Sequence, residues 1–184
     1  MMWRRGLAAY LVWLLAHVIA GAAIALVTPR FDHGDLALFI FGNGLFDGAA
    51  LGVAQWLALR LFLPKLRLWA PVTIVVTPVN WVLGYGFGFV TFGVFGWVGA
   101  AISALAQWPL LARSSRSATR TGDFSSLWVP AALIGGAIFY FSFWFSRGDG
   151  PALFWGTIGY AIVTGLVVAL LVANALSKTA HAPL

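Results

Sequence analysis

The sequence predicts an all-α protein whose solvent is lipid: a polytopic membrane bundle of six transmembrane helices, one domain over 1–184, with both termini cytoplasmic. Three observations carry this. First, 61% of the 184 residues are hydrophobic and 9% charged, against roughly 45–50% and about 25% in soluble domains. With five Asp plus Glu and a mean hydropathy of +0.93, there is too little charge to coat a water-facing surface. Second, the apolar residues gather into six stretches near the ~20 residues that a helix rising ~1.5 Å per residue needs to cross a ~30 Å hydrocarbon core. Third, the basic residues fall on one side of those stretches.

The expected spans are 7–27, 44–63, 69–89, 91–112, 125–145 and 152–175. The first follows Arg4 and Arg5. Its apolar run exceeds the roughly 7–15 residues of a signal-peptide core and no small-x-small cleavage site follows, so it reads as a retained helix. Inside it, His17 has two readings: a hydrogen bond to a neighbouring helix, or the single axial ligand of a haem or pigment. His33 and His181 lie outside the spans and supply no second ligand. No other cofactor is indicated. The outer loop 28–43 contains an apolar piece, 36–41, too short to span and expected to lie at the interface or against the bundle.

On the second span Gly48, Gly52, Gln55 and Leu59 share one helical face, and Ala100, Ala104, Gln107 and Leu111 repeat it on the fourth. Small residues there let backbones approach, and the amides either bond across the contact or line a polar path. Asp47, one residue before the glycine face, reads either as a cap or interfacial residue alongside Asn43 or as a proton or cation site, with Arg30 or Arg147 as its basic neighbours. In the third span Pro78 should kink the helix, with Thr77 or Asn80 satisfying the freed carbonyl or Asn80 touching a substrate. Residues 88–92 leave room only for a tight turn, making spans three and four a close hairpin. Gly84, Gly86 and Gly88 lack the strand context of a nucleotide loop. The fifth span ends in the aromatic run 139–145, and the sixth carries Gly156 and the pair Thr164-Gly165.

With the N-terminus inside, Arg4, Arg5, Arg60, Lys65, Arg67, Arg113, Arg116, Arg120 and Lys178 are cytoplasmic, nine of the eleven Lys and Arg, leaving Arg30 and Arg147 outside. Asp32, Asp35 and Asp149 are outer and Asp123 inner. The net charge of +6 and pI near 10.6 therefore express topology rather than nucleic-acid binding, and the basic loop 114–126 should meet anionic lipid headgroups. Trp3, Trp56, Trp69, Trp108 and Trp128 are expected in the cytoplasmic aromatic belt, and Trp144 and Trp155 in the outer one.

A two-helix unit recurs. Gly48 to Arg60 and Ala100 to Arg113 both run from small residues through Ala-Gln-Trp to a leucine-rich basic end. Leu68-Trp69-Ala-Pro71 and Leu127-Trp128-Val-Pro130 open the helices that follow, and Trp81 and Tyr140 stand twelve residues beyond those tryptophans. Span six resembles the first helix of the unit, and span one a lone second helix with Trp13 in the place of Trp81. Successive pairs run the same way, so the repeats are parallel. This pattern resembles an uncharacterised family of bacterial polytopic membrane proteins with glycine-rich helices ending in Gln-Trp-x-x-Leu-Arg; the resemblance covers roughly 44–175 and is closest at Gln55 to Arg60, while Pro109 and Arg113 depart from it. It implies a fold, a place in the cell (inner) membrane, and no catalytic residues.

Function is less defined. Zero cysteines remove thiolate chemistry, and no nucleophile-base-acid set, carboxylate pair or metal cluster is present. The first reading is a non-enzymatic membrane subunit or scaffold, packed against other subunits or its own copies, with bound lipid or pigment. The alternative is a small transporter or channel whose path follows Asp47, Gln55, Gln107, Asn80 and Thr164. An intramembrane enzyme ranks third.

Overall fold

The computed structural model describes residues 2–27, 36–83, 94–115, 124–145 and 150–179. Among them there are six helices and no strand: α1 (Met2–Val27), α2 (Leu36–Arg60), α3 (Trp69–Trp81), α4 (Val94–Ser115), α5 (Trp128–Phe145, led by a 3₁₀ turn over Phe124–Leu127) and α6 (Gly150–Thr179). Three stretches of these are long and apolar enough to cross a membrane, Trp3–Val27, Phe124–Ser142 and Gly150–Ala175, which supports a membrane protein. The expected hairpin turn at 88–92 and the loop residues Arg30, Asp32, His33, Asp35, Arg116, Arg120, Asp123, Arg147, Asp149 and His181 lie outside the described residues.

Each helix packs on its neighbours in sequence, and α6 returns to α1, so the six close into a ring. Small residues set the approach. A methyl group added at Gly48 would stand 3.0 Å from Ile74 Cα, and at Gly52 3.1 Å from the Ala70 carbonyl, so α2 and α3 run antiparallel with their backbones nearly touching. Gly156 meets Phe139 across α5 and α6, Ala100 meets Gly136 across α4 and α5, and Ala104 is buried in the core. The remaining pairs run antiparallel too, Gly99 facing Asn80 and Gly6 facing Ala173.

Antiparallel neighbours give the ring two unlike ends. One carries the exposed Arg4, Arg5, Arg60, Lys65, Arg67 and Arg113. Just inside it lies the apolar core of Trp13, Leu59, Trp69, Leu111, Trp128 and Val168. The outward faces are apolar, with Leu15, Ile19, Leu57, Val75, Phe141 and Trp155 exposed, as a lipid-facing surface requires.

Two expectations are corrected. The segment 36–41 is not a separate interfacial piece: it is the first part of α2, so that helix begins eight residues earlier than the span read from hydropathy. Trp69 and Trp128 are not belt residues either. Both are 0% exposed. They occupy the first turns of α3 and α5 and pack in the apolar core with Trp13, where burying a large ring outweighs an interfacial position. Trp3, Trp108 and Trp155 are exposed. Trp56 is half-buried, with the Arg60 guanidinium 5.1 Å above its ring.

Candidate functional site

The ring encloses a cavity of about 120 Å³ to which all six helices contribute. That is room for several waters or a small ligand. Its polar wall comes from α2 (Asp47, Gln55), α3 (Thr73, Asn80) and α4 (Ser103, Gln107), and its aromatic wall from Trp81, Phe139, Tyr140 and Tyr160. The lining reaches from mid-bundle, at Gln55, Thr73 and Gln107, to Ile24, Asp47, Trp81 and Tyr140 further from the basic residues, so the cavity lies on the side of the tryptophan core away from them.

Below it the path is closed. Trp13, Trp69 and Trp128 meet edge to face, Trp128 lying 6.0 Å from Trp13 and 5.3 Å from Trp69 between ring centroids. Two of these indoles are held by polar side chains one helix away: Trp69 Nε1 donates to Gln55 Oε1 at 2.9 Å, and Trp13 Nε1 to Thr164 Oγ1 at 3.1 Å. Trp128 Nε1 and Gln107 Oε1 are buried without a partner. Trp13 thus stands with Trp69 and Trp128, not with Trp81. The signal was the spacing Trp13 to His17, matched by Trp69 to Thr73.

The hydrogen-bond chain behind Gln55 determines a tautomer. Since Gln55 Oε1 takes the Trp69 proton, its amide Nε2 must donate to His17 Nε2 at 3.0 Å, and that nitrogen must accept. The ring proton is then on Nδ1, donating to the Trp13 carbonyl at 2.8 Å. His17 is 0% exposed and both nitrogens are engaged. The axial-ligand expectation for His17 therefore fails: no lone pair is left for a haem or pigment.

A second chain fixes Gln107. The Thr73 hydroxyl donates to the Trp69 carbonyl at 2.9 Å, so its oxygen can only accept from Gln107 Nε2, at 3.0 Å. Gln107 Oε1 is consequently the end left without a partner.

Asp47 is 2% exposed and well inside α2, which begins at Leu36. That excludes the capping role for it and for the buried Asn43. Instead Trp81 Nε1 donates to Asp47 Oδ2 at 2.9 Å. The partners expected at the Pro78 kink also differ: Thr77 donates to the Thr73 carbonyl at 2.7 Å, while Asn80 Nδ2 reaches across to Ser103 Oγ at 2.6 Å. Asn80 Oδ1 is buried without a partner, and the Tyr140 hydroxyl points to the Asn80 carbonyl at 3.4 Å.

Of the polar residues singled out in the sequence, Asp47, Gln55, Asn80 and Gln107 line the one cavity. His17 stands behind Gln55, and Thr164 beside Trp13 in the closed region. Thr73, Ser103, Tyr140 and Tyr160 belong to the site without having been singled out in the sequence; Tyr140 carried the only prior signal, as the counterpart of Trp81. Among the described residues no cluster of three metal-ligating side chains occurs, so Asp47 acts as a single carboxylate. No family model, curated protein or solved structure matches the chain.

Proposed function

We propose that the protein is a small transporter or channel of the cell membrane that holds a polar solute inside its helix ring. The observation that carries this reading is the cavity itself: each helix contributes to it, and it gathers a buried carboxylate and two partnerless carbonyl oxygens in a chain otherwise starved of polar groups. Such groups are costly in a membrane bundle unless something uses them. The outward aromatics are accounted for by lipid and favour no particular protein partner, so the scaffold reading has less behind it.

In this reading all six helices cross the bilayer, the basic end is cytoplasmic with both termini there, and the cavity opens towards the outer side. Six exposed cationic residues at one end of the ring support that orientation. The chain is then three parallel two-helix units, α2–α3, α4–α5 and α6–α1, the last split between the two ends of the sequence. The bonded pairs Gln55–Trp69 and Thr164–Trp13, each joining the first helix of a unit to the second, support this register.

The chain has no cysteine, so single cysteines report cleanly. Leu51 lines the cavity and Val53 faces outward on the same helix. In liposomes, Leu51→Cys should react with a charged, water-soluble methanethiosulfonate added to one face roughly tenfold faster than Val53→Cys, because only a hydrated thiol ionises readily. Equal reactivity, or none at Leu51→Cys from either face, would refute a solute path.

A further inference from the structure

Of the polar side-chain atoms on the residues that line the cavity, the two buried without a partner are both acceptors. The Thr73, Thr77 and Thr157 hydroxyls donate to carbonyls of their own helices, at 2.9, 2.7 and 2.7 Å. One amide proton each of Gln55, Gln107 and Asn80 is directed to His17, Thr73 and Ser103, and the Trp81 N–H to Asp47. The two partnerless atoms, Asn80 Oδ1 and Gln107 Oε1, are carbonyl oxygens of residues that line the cavity. The Gln107 assignment does not depend on which way its amide was drawn, because Thr73 has no second proton to give. A ligand complementary to these two oxygens is a hydrogen-bond donor.

Charge and shape narrow the class. The lining includes one carboxylate, Asp47, and no Lys, Arg or His among the described residues. Trp81, Phe139, Tyr140 and Tyr160 line the same space, and aromatic faces attract cations through their quadrupoles. Ammonium and guanidinium groups carry several N–H donors and no acceptor, and both are cations. A neutral polyol would gain nothing from the carboxylate's charge, and an anion would be repelled by it.

We propose that the cavity binds a small protonated amine: its N–H groups donate to the Gln107 and Asn80 side-chain oxygens, Asp47 supplies the countercharge, and the alkyl part lies against the aromatic wall. This rests on the reading of the interior as a solute site and adds the ligand's chemistry to it.

The test is protection of the Leu51→Cys thiol, in the full chain in liposomes, from the same methanethiosulfonate. Propylammonium is the probe, with butan-1-ol as a neutral alcohol of similar size, propionate as the opposite charge, and tetramethylammonium as a cation without N–H donors. Propylammonium should slow labelling by roughly tenfold at concentrations where butan-1-ol and propionate leave it unchanged, with tetramethylammonium weaker than propylammonium because it cannot use the carbonyl oxygens. Protection by propylammonium no better than by butan-1-ol, with labelling itself intact, overturns the amine proposal and leaves the solute path standing. Equal protection by tetramethylammonium overturns the role of Gln107 and Asn80. Absence of labelling removes both readings together. Asp47→Asn in the Leu51→Cys background should abolish protection. Should that variant fail to fold, titration of the unmodified chain's tryptophan fluorescence decides the matter: a response to propylammonium absent with butan-1-ol supports the proposal, and identical responses refute it.

Discussion

At the scale of single residues, the two glutamines that look equivalent in sequence do unequal work. Gln55 satisfies two buried groups at once, Trp69 Nε1 and His17 Nε2, whereas Gln107 satisfies one, Thr73 Oγ1, whose own proton is already placed. A buried group left without its partner costs about 1–3 kcal/mol, and interhelical bonds in membranes average about 0.6 kcal/mol. Gln55→Leu should therefore lower stability by about 2 kcal/mol, while Gln107→Leu, which also removes an oxygen that had no partner, should cost under about 1 kcal/mol. Unfolding in mixed micelles measures both; losses of equal size would show that the His17–Gln55–Trp69 chain carries no special weight. Asp47, Gln55, Asn80, Gln107 and His17 were legible in the sequence because a polar side chain stands out in an apolar helix. Thr73 was not. A threonine that donates to the carbonyl one turn back, as Thr73, Thr77, Thr157 and Thr164 do, is as cheap in a membrane helix as valine, so its presence signals nothing until the partner on the next helix is known.

At the scale of elements, helix positions were legible and helix contacts only in part. The small-residue face of α2 announced a close neighbour, and the structure supplies α3. The length of α2 was missed because polar Asn43 and Asp47 interrupt its hydropathy while its backbone continues from Leu36. The closeness of α2 to α3 varies along the contact, and that variation is measurable. Replacing glycine by alanine in a helix gains about 1 kcal/mol of propensity, while overpacking costs typically 1–3 kcal/mol. At Gly44 the new methyl would stand 2.6 Å from Pro78 Cα, a backbone atom of a rigid ring that has nowhere to move. At Gly52 the nearest atoms are 3.1 Å away. Gly44→Ala should thus lose about 1–2 kcal/mol, and Gly52→Ala should fall within about 0.5 kcal/mol of the parent, the two effects nearly cancelling. Thermal midpoints in detergent give the comparison, and a stable Gly44→Ala would mean that α2 and α3 stand further apart than described.

At the scale of the whole molecule, the decisive feature is closure, and no local pattern in the sequence encodes it. A row of six helices would leave α1 and α6 with one neighbour each and would expose His17, Trp13 and Thr164 along an open edge. With α6 against α1 those groups become interior, Trp13 finds its acceptor on Thr164, and the space between the helices becomes a cavity rather than a groove. The solute reading therefore depends on a contact between residues more than 150 positions apart. That contact can be captured directly. A Cβ added at Gly6 would lie 3.4 Å from Ala173 Cβ, close to the ~3.5–4.5 Å that a disulfide spans. In a chain without cysteine, the double variant Gly6→Cys, Ala173→Cys should form one intramolecular disulfide under mild oxidation, visible as faster migration that reverts on reduction. Because the bridge closes nearly the whole chain into a loop, it should also stabilise the protein by about 2–4 kcal/mol. Gly6→Cys paired instead with Leu105→Cys, on the outward face of α4, should give none, since α4 is separated from α1 by two helices whichever way round the ring is followed. If oxidation links neither pair, or links both equally, α1 and α6 do not close the ring, and the cavity that supports a solute-binding function is lost with it.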